Sequence, residues 1–323
     1  MTILQELAPL IQNIQTELHQ SVTDDLPLSL RDPILYFLES PGKKIRPLLT
    51  LLACEAVDGE VREVMPAAVG IELFHDFTLI HDDIMDKDDM RRGRFTVHRK
   101  WGDDAAILVG DLLVGLAYKK MLECQPEYLE KVLNLFNETL IKVCEGQALD
   151  KEFEKVEHVS LDAYIDMISK KTAWLFQLSA QLGALLGGAS EEQVREMAYF
   201  GYSLGIGFQI QDDWLDYAGE ETALGKKVGS DLKMDKKTYV ALSYAELIGQ
   251  TPELAKKYPA RISSFDSIPR LKEALFEIGI AAATESVIEK YISDALQTLS
   301  HIKPLEESNR LYRLVQFLRQ RQS

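Results

Sequence analysis

Two short acidic motifs carry residue types and a spacing from which a metal site could be built. The first, DDIMD, runs from Asp82 to Asp86, and the second, DDWLD, runs from Asp212 to Asp216. Residues four apart share a helix face, so each motif presents its first and last carboxylates about one turn apart. Hard divalent cations prefer oxygen ligands, and Mg²⁺ is usually held by one or two carboxylates together with substrate phosphates. The motifs therefore predict Mg²⁺ sites that hold a phosphate-containing ligand.

The setting of these acids bears on the main alternative, which is a solvated helix end. Each motif follows apolar helical text, FHDFTLIH before the first and LGIGFQIQ before the second. A carboxylate at the C-terminal end of a helix interacts unfavourably with the helix dipole, which costs roughly 0.3–1 kcal/mol for each carboxylate. A bound cation would make the net interaction favourable. An EF-hand is excluded because the stretch DKDDMRRG lacks the ligand pattern and the glycine of that loop. A single motif leaves both interpretations open, whereas two copies favour metal sites.

Residues upstream of each motif share its helix face. At 100° per residue, His75 lies on the face of Asp82 and Asp86, either as a ligand-binding group or as a core histidine with its hydrogen bonds satisfied. Gly201 and Gly205 lie on the carboxylate stripe of the second motif. Glycine inside a helix costs roughly 1 kcal/mol relative to alanine. The two glycines therefore indicate either room for a ligand or close packing of helices.

Short basic clusters could supply the opposite charge for a phosphate ligand. They are RRGRF (Arg91, Arg92), PGKKIRP (Lys43, Lys44, Arg46), ISKKTAW (Lys170, Lys171, Thr172), LGKKVG (Lys226, Lys227) and MDKKT (Lys236, Lys237). Arginine forks match phosphate oxygens and lysine acts as a point charge, although each cluster alone could be a solvated surface pair. LGKKVG is no Walker loop, and GIGFQI fails as a dinucleotide fingerprint. With no catalytic Ser or Cys constellation, this combination favours a diphosphate bridged by Mg²⁺ beside an apolar helical cavity.

Helices must position these groups, because apolar residues recur at spacings of three and four, as between Val132 and Val143. Alternating β-branched runs with hairpin signals are absent. The pattern predicts helices at 3–21, 28–39, 44–57, 62–86, 103–122, 127–152, 161–186, 191–217, 237–249, 270–298 and 304–321. Ser160 and Ser190 are candidate N-caps. Since no linker divides the sequence, we expect a single all-α domain over residues 1–323.

Bulk composition narrows the function classes. The 323 residues carry a net charge of −15, which argues against binding to nucleic acid or to an anionic membrane surface. No stretch of about twenty apolar residues predicts a membrane helix, and the N-terminal residues lack the order of a signal peptide. The three cysteines have no metal-like spacing, which favours a reducing compartment. We therefore expect a cytoplasmic protein without membrane insertion.

The motifs in their order resemble those of the trans-isoprenyl diphosphate synthases, over nearly the whole chain. GKKIRP is similar to the GKxxRP motif of that family, and FHDFTLIHDDIMDKDDMRRG to its first aspartate-rich region. KKT, GFQIQDDWLD and LGKKVGSDLKMDKKT resemble the remaining signature segments. PGKK stands where many members have GGK, which leaves the lysine intact. The resemblance implies an all-helical fold around a central cavity, a homodimer, and Mg²⁺-dependent chain elongation.

The resemblance also implies a role for each matching residue. Metal ligands would be Asp82, Asp86, Asp212 and Asp216, supported by Asp83 and Asp213. The allylic diphosphate would be held by Arg91, Lys171, Lys226 and Lys236, and isopentenyl diphosphate by Lys43, Arg46, His75 and Arg92. Thr172 and Gln209 would lie near the developing carbocation, and the segment from Gly146 to Asp150 would line the cavity.

Product length in this family often depends on bulk shortly before the first motif, where this chain has Phe77 and Thr78. That pair resembles the short-chain enzymes that make geranylgeranyl diphosphate, with farnesyl or longer products as alternatives. On an ideal helix, however, Phe77 points about 140° from Asp82, whereas Thr78 lies within about 40° of it. Either the helix bends there or Phe77 reaches sideways.

Two other classes share this fold. A terpene cyclase would carry an Asn/Ser/Glu-type second metal motif instead of DDWLD, and it would not need an isopentenyl site at Lys43, Arg46 and His75. A non-catalytic partner subunit usually loses an aspartate-rich motif, whereas both motifs are intact here. The sequence therefore favours the synthase over both alternatives.

Overall fold

A computed structural model describes residues 2–218 and 236–321 of the chain. The elements of its first part are α1 (Ile3–Glu6), α2 (Ala8–Gln20), α3 (Leu28–Leu38), α4 (Ile45–Ala56), α5 (Val61–Asp86), β1 (Met90–Arg91), β2 (Arg94–Phe95), α6 (Val97–Trp101), α7 (Asp103–Met121) and α8 (Leu129–Phe153). After these come α9 (Leu161–Ile168), a π-helical turn (Ser169–Ala173), α10 (Trp174–Leu186) and α11 (Glu191–Ala218). The described elements that follow are α12 (Tyr239–Gln250), α13 (Pro252–Lys257), a 3₁₀ turn (Ile262–Ser264), α14 (Ile268–Glu277), α15 (Ile280–Ile302) and α16 (Arg310–Arg319).

The chain divides into two compact units, each formed from several segments. Unit 1 comprises Met1–Asn137, Leu178–Ala198 and Leu299–Leu314, and unit 2 comprises Glu138–Gln177, Tyr199–Thr298 and Val315–Ser323. The first acidic motif belongs to unit 1 and the second to unit 2. The expectation of a single domain over residues 1–323 stays a prediction.

Helix α5 is the central element of unit 1. It packs against α2, α4, α6 and α7, and its middle, from Ala67 to Phe74, is buried on all sides. The helix ends where Lys87 takes a left-handed conformation, with φ of 56°. A left-handed residue closes the last turn and stops the helix. The first acidic motif therefore forms the last turn of α5.

Helix α11 carries the second acidic motif in unit 2, near its own C-terminal end at Ala218. Ile206, Ile210 and Trp214 are buried along it. These apolar residues are four apart, as expected for one helix face that packs on a core. The burial of α11 places its half-exposed acids at the edge of a packed interior.

The structure confirms helical character and corrects several helix boundaries. The predicted helix 3–21 is interrupted at Leu7, and 270–298 is divided at Gly279, whose φ of 82° suits glycine. The predicted helix 304–321 begins only at Arg310, where Asn309 accepts a hydrogen bond from the amide of Tyr312. The hairpin β1–β2 and the short helices α6 and α13 were not predicted.

Other local predictions hold. Ser160 accepts a hydrogen bond from the amide of Ala163, and Ser190 forms the expected reciprocal bonds with Gln193. In the predicted helix 161–186, a π-helical turn replaces α-helical geometry, which neither apolar spacing nor residue type signalled. Among the described helices, none has the length and apolar character needed to cross a membrane.

Candidate active site

The aspartates of the first motif differ in exposure. Asp82 and Asp86 are half-buried on the last turn of α5, whereas Asp83 is 1% exposed. Arg91, from the hairpin, places its Nε 2.7 Å from Oδ1 of Asp83. Burial raises the pKa of Asp83 to about 6, and the nearby Arg91 limits that rise. The outer aspartates can therefore reach a ligand, while Asp83 ties the hairpin to the helix.

The tight turn of that hairpin brings the RRG and PGKK segments together. Arg92 and Gly93 both have positive φ, at 51° and 75°. A Cβ at Gly42 would lie only 2.8 Å from Nη1 of Arg92, so the guanidinium rests against the glycine. A side chain at position 42 would displace the end of the flexible Arg92 side chain from its present position.

His75 and Arg46 are in direct contact. Nη1 of Arg46 lies 3.0 Å from Nε2 of His75, and since a guanidinium only donates, Nε2 accepts. Burial lowers the pKa of His75 well below its usual value, and the Arg46, Arg92 and Lys44 cations act in the same direction. His75 is thus a neutral acceptor that orients Arg46. The core-histidine alternative and the ligand-site alternative are both consistent with this arrangement.

Adjacent lysines of the PGKK segment have opposite environments. Lys43 is exposed, whereas Lys44 is buried with its Nζ 2.9 Å from Oε1 of Glu72. One turn further along α5, Asp76 is 2% exposed. Sequence reasoning did not identify Glu72 or Asp76, although two acids one turn apart within an apolar run were a usable signal.

The second motif repeats the exposure pattern of the first. Asp212 and Asp216 are half-buried, while Asp213 is 6% exposed. Asp213 accepts hydrogen bonds from the Tyr164 hydroxyl, from Nε2 of Gln209 at 3.0 Å and from the amide of Tyr239 at 3.2 Å. The supporting position predicted for Asp213 fits these contacts. Tyr164 was not identified from the sequence.

The π-helical turn presents Thr172 to Gln209. The Thr172 hydroxyl donates to Oε1 of Gln209 at 2.8 Å, and Gln209 in turn donates to Asp213. π-turns are often found at functional sites, because the extra residue re-aims the side chains around it. The three polar groups therefore form one hydrogen-bonded chain inside unit 2.

Lys171, also in this turn, places its Nζ 2.6 Å from Oδ2 of Asp150. Burial alone would raise the pKa of Asp150, but the Lys171 and Lys236 cations hold it below its usual value. Gly146 lets α8 approach the turn, since a Cβ there would lie 2.3 Å from the backbone nitrogen of Lys171. Lys171 and Lys236 thus act on one carboxylate. Lys226 lies outside the described residues.

The two glycines on the carboxylate stripe of α11 serve close packing. A Cβ at Gly201 would lie 2.5 Å from the carbonyl oxygen of Phe176, and one at Gly205 would lie 2.6 Å from Cα of Ala173. Backbone atoms occupy this space, so the interpretation as room for a ligand is wrong. The absence of side chains here instead lets α11 approach the π-helical turn.

A cation from the C-terminal end of the chain contacts the second motif. Arg321 forms an ion pair with Asp212, and its guanidinium lies 4.3 Å from the ring centroid of Phe208. Nothing in the spacing of residues near the C-terminus indicated this contact. It shows that Asp212 lies where a positive charge is stabilised.

The outer aspartates suit a hard divalent cation. Each motif offers two half-buried carboxylates one turn apart, with oxygen as the only donor type. Within residues 2–218 and 236–321, no group of three or more His, Cys, Asp or Glu side chains could hold a metal ion by itself. A cation bound here would complete its shell with oxygens of water or of a phosphate ligand, as Mg²⁺ usually does. The residues therefore fit the predicted metal, and their roles stay predictions.

Phe77 lies on a different face of α5 from the outer aspartates. Its ring stacks on Phe74 at 5.7 Å and meets the His81 ring edge-on at 4.9 Å. Thr78 donates a hydrogen bond to the carbonyl of His75 at 2.7 Å. Phe77 thus belongs to an aromatic cluster with Phe74 and His81 along α5. Its role in product length stays a prediction.

Comparison with known proteins identifies the family. The family model for polyprenyl synthetases matches residues 27–275. A geranylgeranyl diphosphate synthase from Methanosarcina mazei is 35% identical over 320 residues, 98% of each chain. A geranylfarnesyl diphosphate synthase from Natronomonas pharaonis is 37% identical over 246 residues, covering 69% of this chain and 72% of that protein.

A solved structure agrees with these relatives. The crystal structure of geranylgeranyl pyrophosphate synthetase from Pyrococcus horikoshii superimposes with a TM-score of 0.88 at 33% identity, covering 99% of this chain and 98% of that one. The predictions of an all-helical fold and of a trans-prenyltransferase are confirmed. The chain belongs to the polyprenyl synthetase family.

Proposed function

We propose that this enzyme condenses isopentenyl diphosphate with an allylic diphosphate, head to tail and with Mg²⁺, to give a short-chain all-trans prenyl diphosphate. The single observation that carries the proposal is the repeated exposure pattern of the two acidic motifs. In each, a buried middle aspartate is fixed by hydrogen bonds while the outer two are half-exposed. Geranylgeranyl diphosphate is the favoured product, because relatives with that name align over almost the full chain.

The outer aspartates Asp82, Asp86, Asp212 and Asp216 are the proposed Mg²⁺ ligands. Bound Mg²⁺ would neutralise the allylic diphosphate, which is a poor leaving group until its charge is balanced. Asp83 and Asp213 are buried and hydrogen-bonded, so they would orient the motifs without binding the metal. Arg91 and Tyr164 are the partners that fix them.

Basic residues would divide between the two substrates. Arg91, Lys171 and Lys236, together with Lys226, are assigned to the allylic diphosphate. Lys43, Arg46, His75 and Arg92 are assigned to isopentenyl diphosphate. Support for the second set comes from unit 1, where His75 accepts a hydrogen bond from Arg46 and the Arg92 guanidinium lies against Gly42. Arginine forks held in this way suit bidentate contacts to phosphate oxygens.

The hydrogen-bonded chain of Thr172, Gln209 and Asp213 in unit 2 would act on the reacting carbon. Thr172 donates to Oε1 of Gln209, which leaves lone pairs of both oxygens for a developing positive charge. As the allylic C–O bond breaks, these oxygens would stabilise the carbocation, and apolar surroundings would exclude water. The double bond of isopentenyl diphosphate then attacks, and a proton is lost to the departing diphosphate. This assignment needs no dedicated side-chain base.

The test is incubation of the purified protein with isopentenyl diphosphate, dimethylallyl diphosphate and Mg²⁺, followed by chromatography of the dephosphorylated alcohols. Geranylgeraniol as the dominant product is expected. Farnesol or geranylfarnesol as the main product would support the proposal of a synthase and correct the proposed chain length of its product. If no primer is elongated, the same assay with farnesyl diphosphate alone separates a cyclase, which would release a hydrocarbon, from a silent subunit.

We also propose that the enzyme is a homodimer that pairs through α7. Leu108 in α7 and Leu122, the residue that directly follows this helix, are 56% and 57% exposed, and Gly115 between them has no atom within 4 Å of a Cβ position. Apolar or small residues seven apart on one helix face are typical of helix pairing. Leu108→Glu should convert a dimer to a monomer in light scattering, whereas Leu28→Glu, at an exposed leucine on α3, should not. A wild-type monomer would contradict the proposal.

A further inference from the structure

A buried charge cluster lies beside the proposed isopentenyl site and has no part in the mechanism derived above. It consists of Lys44, Glu72 and Asp76. The side chains of Lys44 and Glu72 are 4% and 5% exposed, and Asp76 is 2% exposed. Burying charged groups is costly unless they are paired, and a hydrophobic replacement is often as stable. Such a cluster therefore calls for a reason other than stability.

Lys44 sits at a strained point of the backbone. It is the N-cap of α4 with φ of 50° and ψ of 42°, in the left-handed region. For a residue other than glycine, that conformation is unfavourable and persists only where its surroundings impose it. The contact with Glu72 is such a restraint, because it draws the side chain inward. This backbone turn sends Lys43 outward into solvent.

The same cluster reaches the helix turn that carries His75. Glu72 and Asp76 are four apart on α5 and flank His75 in sequence. Arg46 follows Lys44 by two residues and contacts His75 at 3.0 Å. The start of α4 and this part of α5 are thus joined twice, once by the buried ion pair and once by Arg46 and His75.

We propose that Lys44 and Glu72 are positioning residues for isopentenyl diphosphate, which fix the Lys43–Arg46 turn so that Arg46 meets His75, and that the buried carboxyl of Asp76 beside them sets the local charge. This inference rests on the proposed function, which assigns that substrate to these groups. Before substrate binds, the two acids also offset the positive charge gathered there. Glu72 and Asp76 themselves touch no reacting atom.

Glu72→Gln tests the positioning role. Loss of the ion pair should let the Lys43–Arg46 turn move, and a misplacement of this kind can cost up to about 100-fold. We expect KM for isopentenyl diphosphate to rise about tenfold or more, with KM for the allylic diphosphate unchanged. Glu63→Gln is the matched control, because Glu63 is an exposed acid at the start of the same helix. Its KM values should equal those of the wild type.

Asp76→Asn provides a second, isosteric variant that keeps the Lys44–Glu72 pair. Burial raises the pKa of Asp76 to about 7, and the charged groups that act on it are Lys44, Glu72, Arg92 and Arg46. Above that pH its carboxylate would weaken the attraction of Arg46 and Arg92 for a diphosphate. The wild-type KM for isopentenyl diphosphate should therefore rise severalfold, relative to that of the variant, between pH 6 and pH 8.5. Titration of the substrate itself affects both proteins equally.

Each outcome decides the inference. Equal changes in both KM values, or no change, in Glu72→Gln would overturn the positioning role. If Glu72→Gln does not fold, Lys44→Met decides, because it removes the same buried ion pair, and an unchanged KM for isopentenyl diphosphate would reject the positioning role. A constant ratio of wild-type to Asp76→Asn KM values across the pH range would overturn the charge role of Asp76. An inactive wild-type enzyme would instead reject the proposed function. The two failures are thus distinguishable.

Discussion

Arg321 forms an ion pair with Asp212, the first aspartate of the second acidic motif. Arg321 also stacks over Phe208, and Nε2 of Gln211 donates to the carbonyl of Arg319, two residues before Arg321, at 3.2 Å. A cation of the chain itself therefore contacts a carboxylate that we assign to Mg²⁺. Metal binding at Asp212 must displace or share this contact.

Arg321→Gln should therefore increase the affinity for Mg²⁺. Removing a competing cation worth about 1 kcal/mol strengthens metal binding about fivefold. Isothermal titration of the substrate-free protein with Mg²⁺ measures the change without reference to turnover. Arg319→Gln is the control, because Arg319 pairs with Glu289 at the surface of the same helix end. An unchanged Mg²⁺ affinity in Arg321→Gln would show that the ion pair does not compete with metal.

Asp82→Ala and Asp212→Ala should each reduce turnover by about 100-fold or more, because a leaving diphosphate would lose part of its charge neutralisation. Both aspartates are half-buried at helix ends, so the circular dichroism spectrum should change little. Asp89→Ala is a suitable control, since Asp89 belongs to the same acidic stretch but pairs with Arg99 at the surface. A near-normal kcat in either of these two variants would contradict the metal-binding role proposed for the motif that carries it.

Sequence periodicity predicted the helices that carry the motifs to within one residue. The predicted ranges 62–86 and 191–217 compare with Val61–Asp86 and Glu191–Ala218. Such helices can be predicted because the spacing of their apolar residues is a local pattern. Their ends are also marked by residues that lie nearby in the sequence. The placement of both motifs at helix C-terminal ends follows from the same pattern. Family motifs then supplied residue roles that periodicity alone could not.

The sequence did not predict contacts between residues that are far apart along the chain. Asp212 and Arg321 are 109 positions apart, and Tyr164 and Asp213 are 49 apart. Such pairs depend on how helices pack, which no local spacing encodes. The sequence grouped Lys44 with Lys43 in one basic cluster and did not indicate that one lysine is buried and the other exposed. Only the left-handed backbone at Lys44 separates the buried lysine from the exposed one.

Phe77→Ala should lengthen the main product by one or more isoprene units. The Phe77 ring fills space beside Phe74 and His81, and its removal opens volume before the first motif. Chromatography of the dephosphorylated alcohols measures the shift. Phe95→Ala, at a phenylalanine that is 58% exposed, should leave the product unchanged. If Phe77→Ala keeps the wild-type product, the floor that stops elongation lies elsewhere.

The buried carboxyl of Asp76 should make the fold less stable as pH rises. Its pKa is raised from 3.8 to about 7, so the folded state binds a proton that the unfolded state has lost. The contribution of the Asp76 proton to the free energy of unfolding is fully present below about pH 4 and is lost as pH rises through 7. Asp76→Asn should therefore unfold at the wild-type temperature at pH 4 and at a higher temperature at pH 8. Identical thermal midpoints at both pH values would contradict this.

Gly205→Ala should destabilise the protein and impair catalysis together. A Cβ at Gly205 would lie 2.6 Å from Cα of Ala173, in the π-helical turn that holds Thr172. Overpacking of this kind costs about 1–3 kcal/mol, and the backbone shift would separate Thr172 from Gln209. The free energy of unfolding in urea and kcat should both fall.

Gly249→Ala is the matched control for that variant, because a Cβ at Gly249 in α12 meets no atom within 4 Å. Alanine there should be neutral or stabilising by up to about 1 kcal/mol, as expected from helix propensity. An unfolding free energy of Gly205→Ala equal to that of the wild type would mean that the space beside α11 can accept a side chain. The glycine would then have to be explained by ligand access after all, and the packing explanation for the carboxylate stripe would fail.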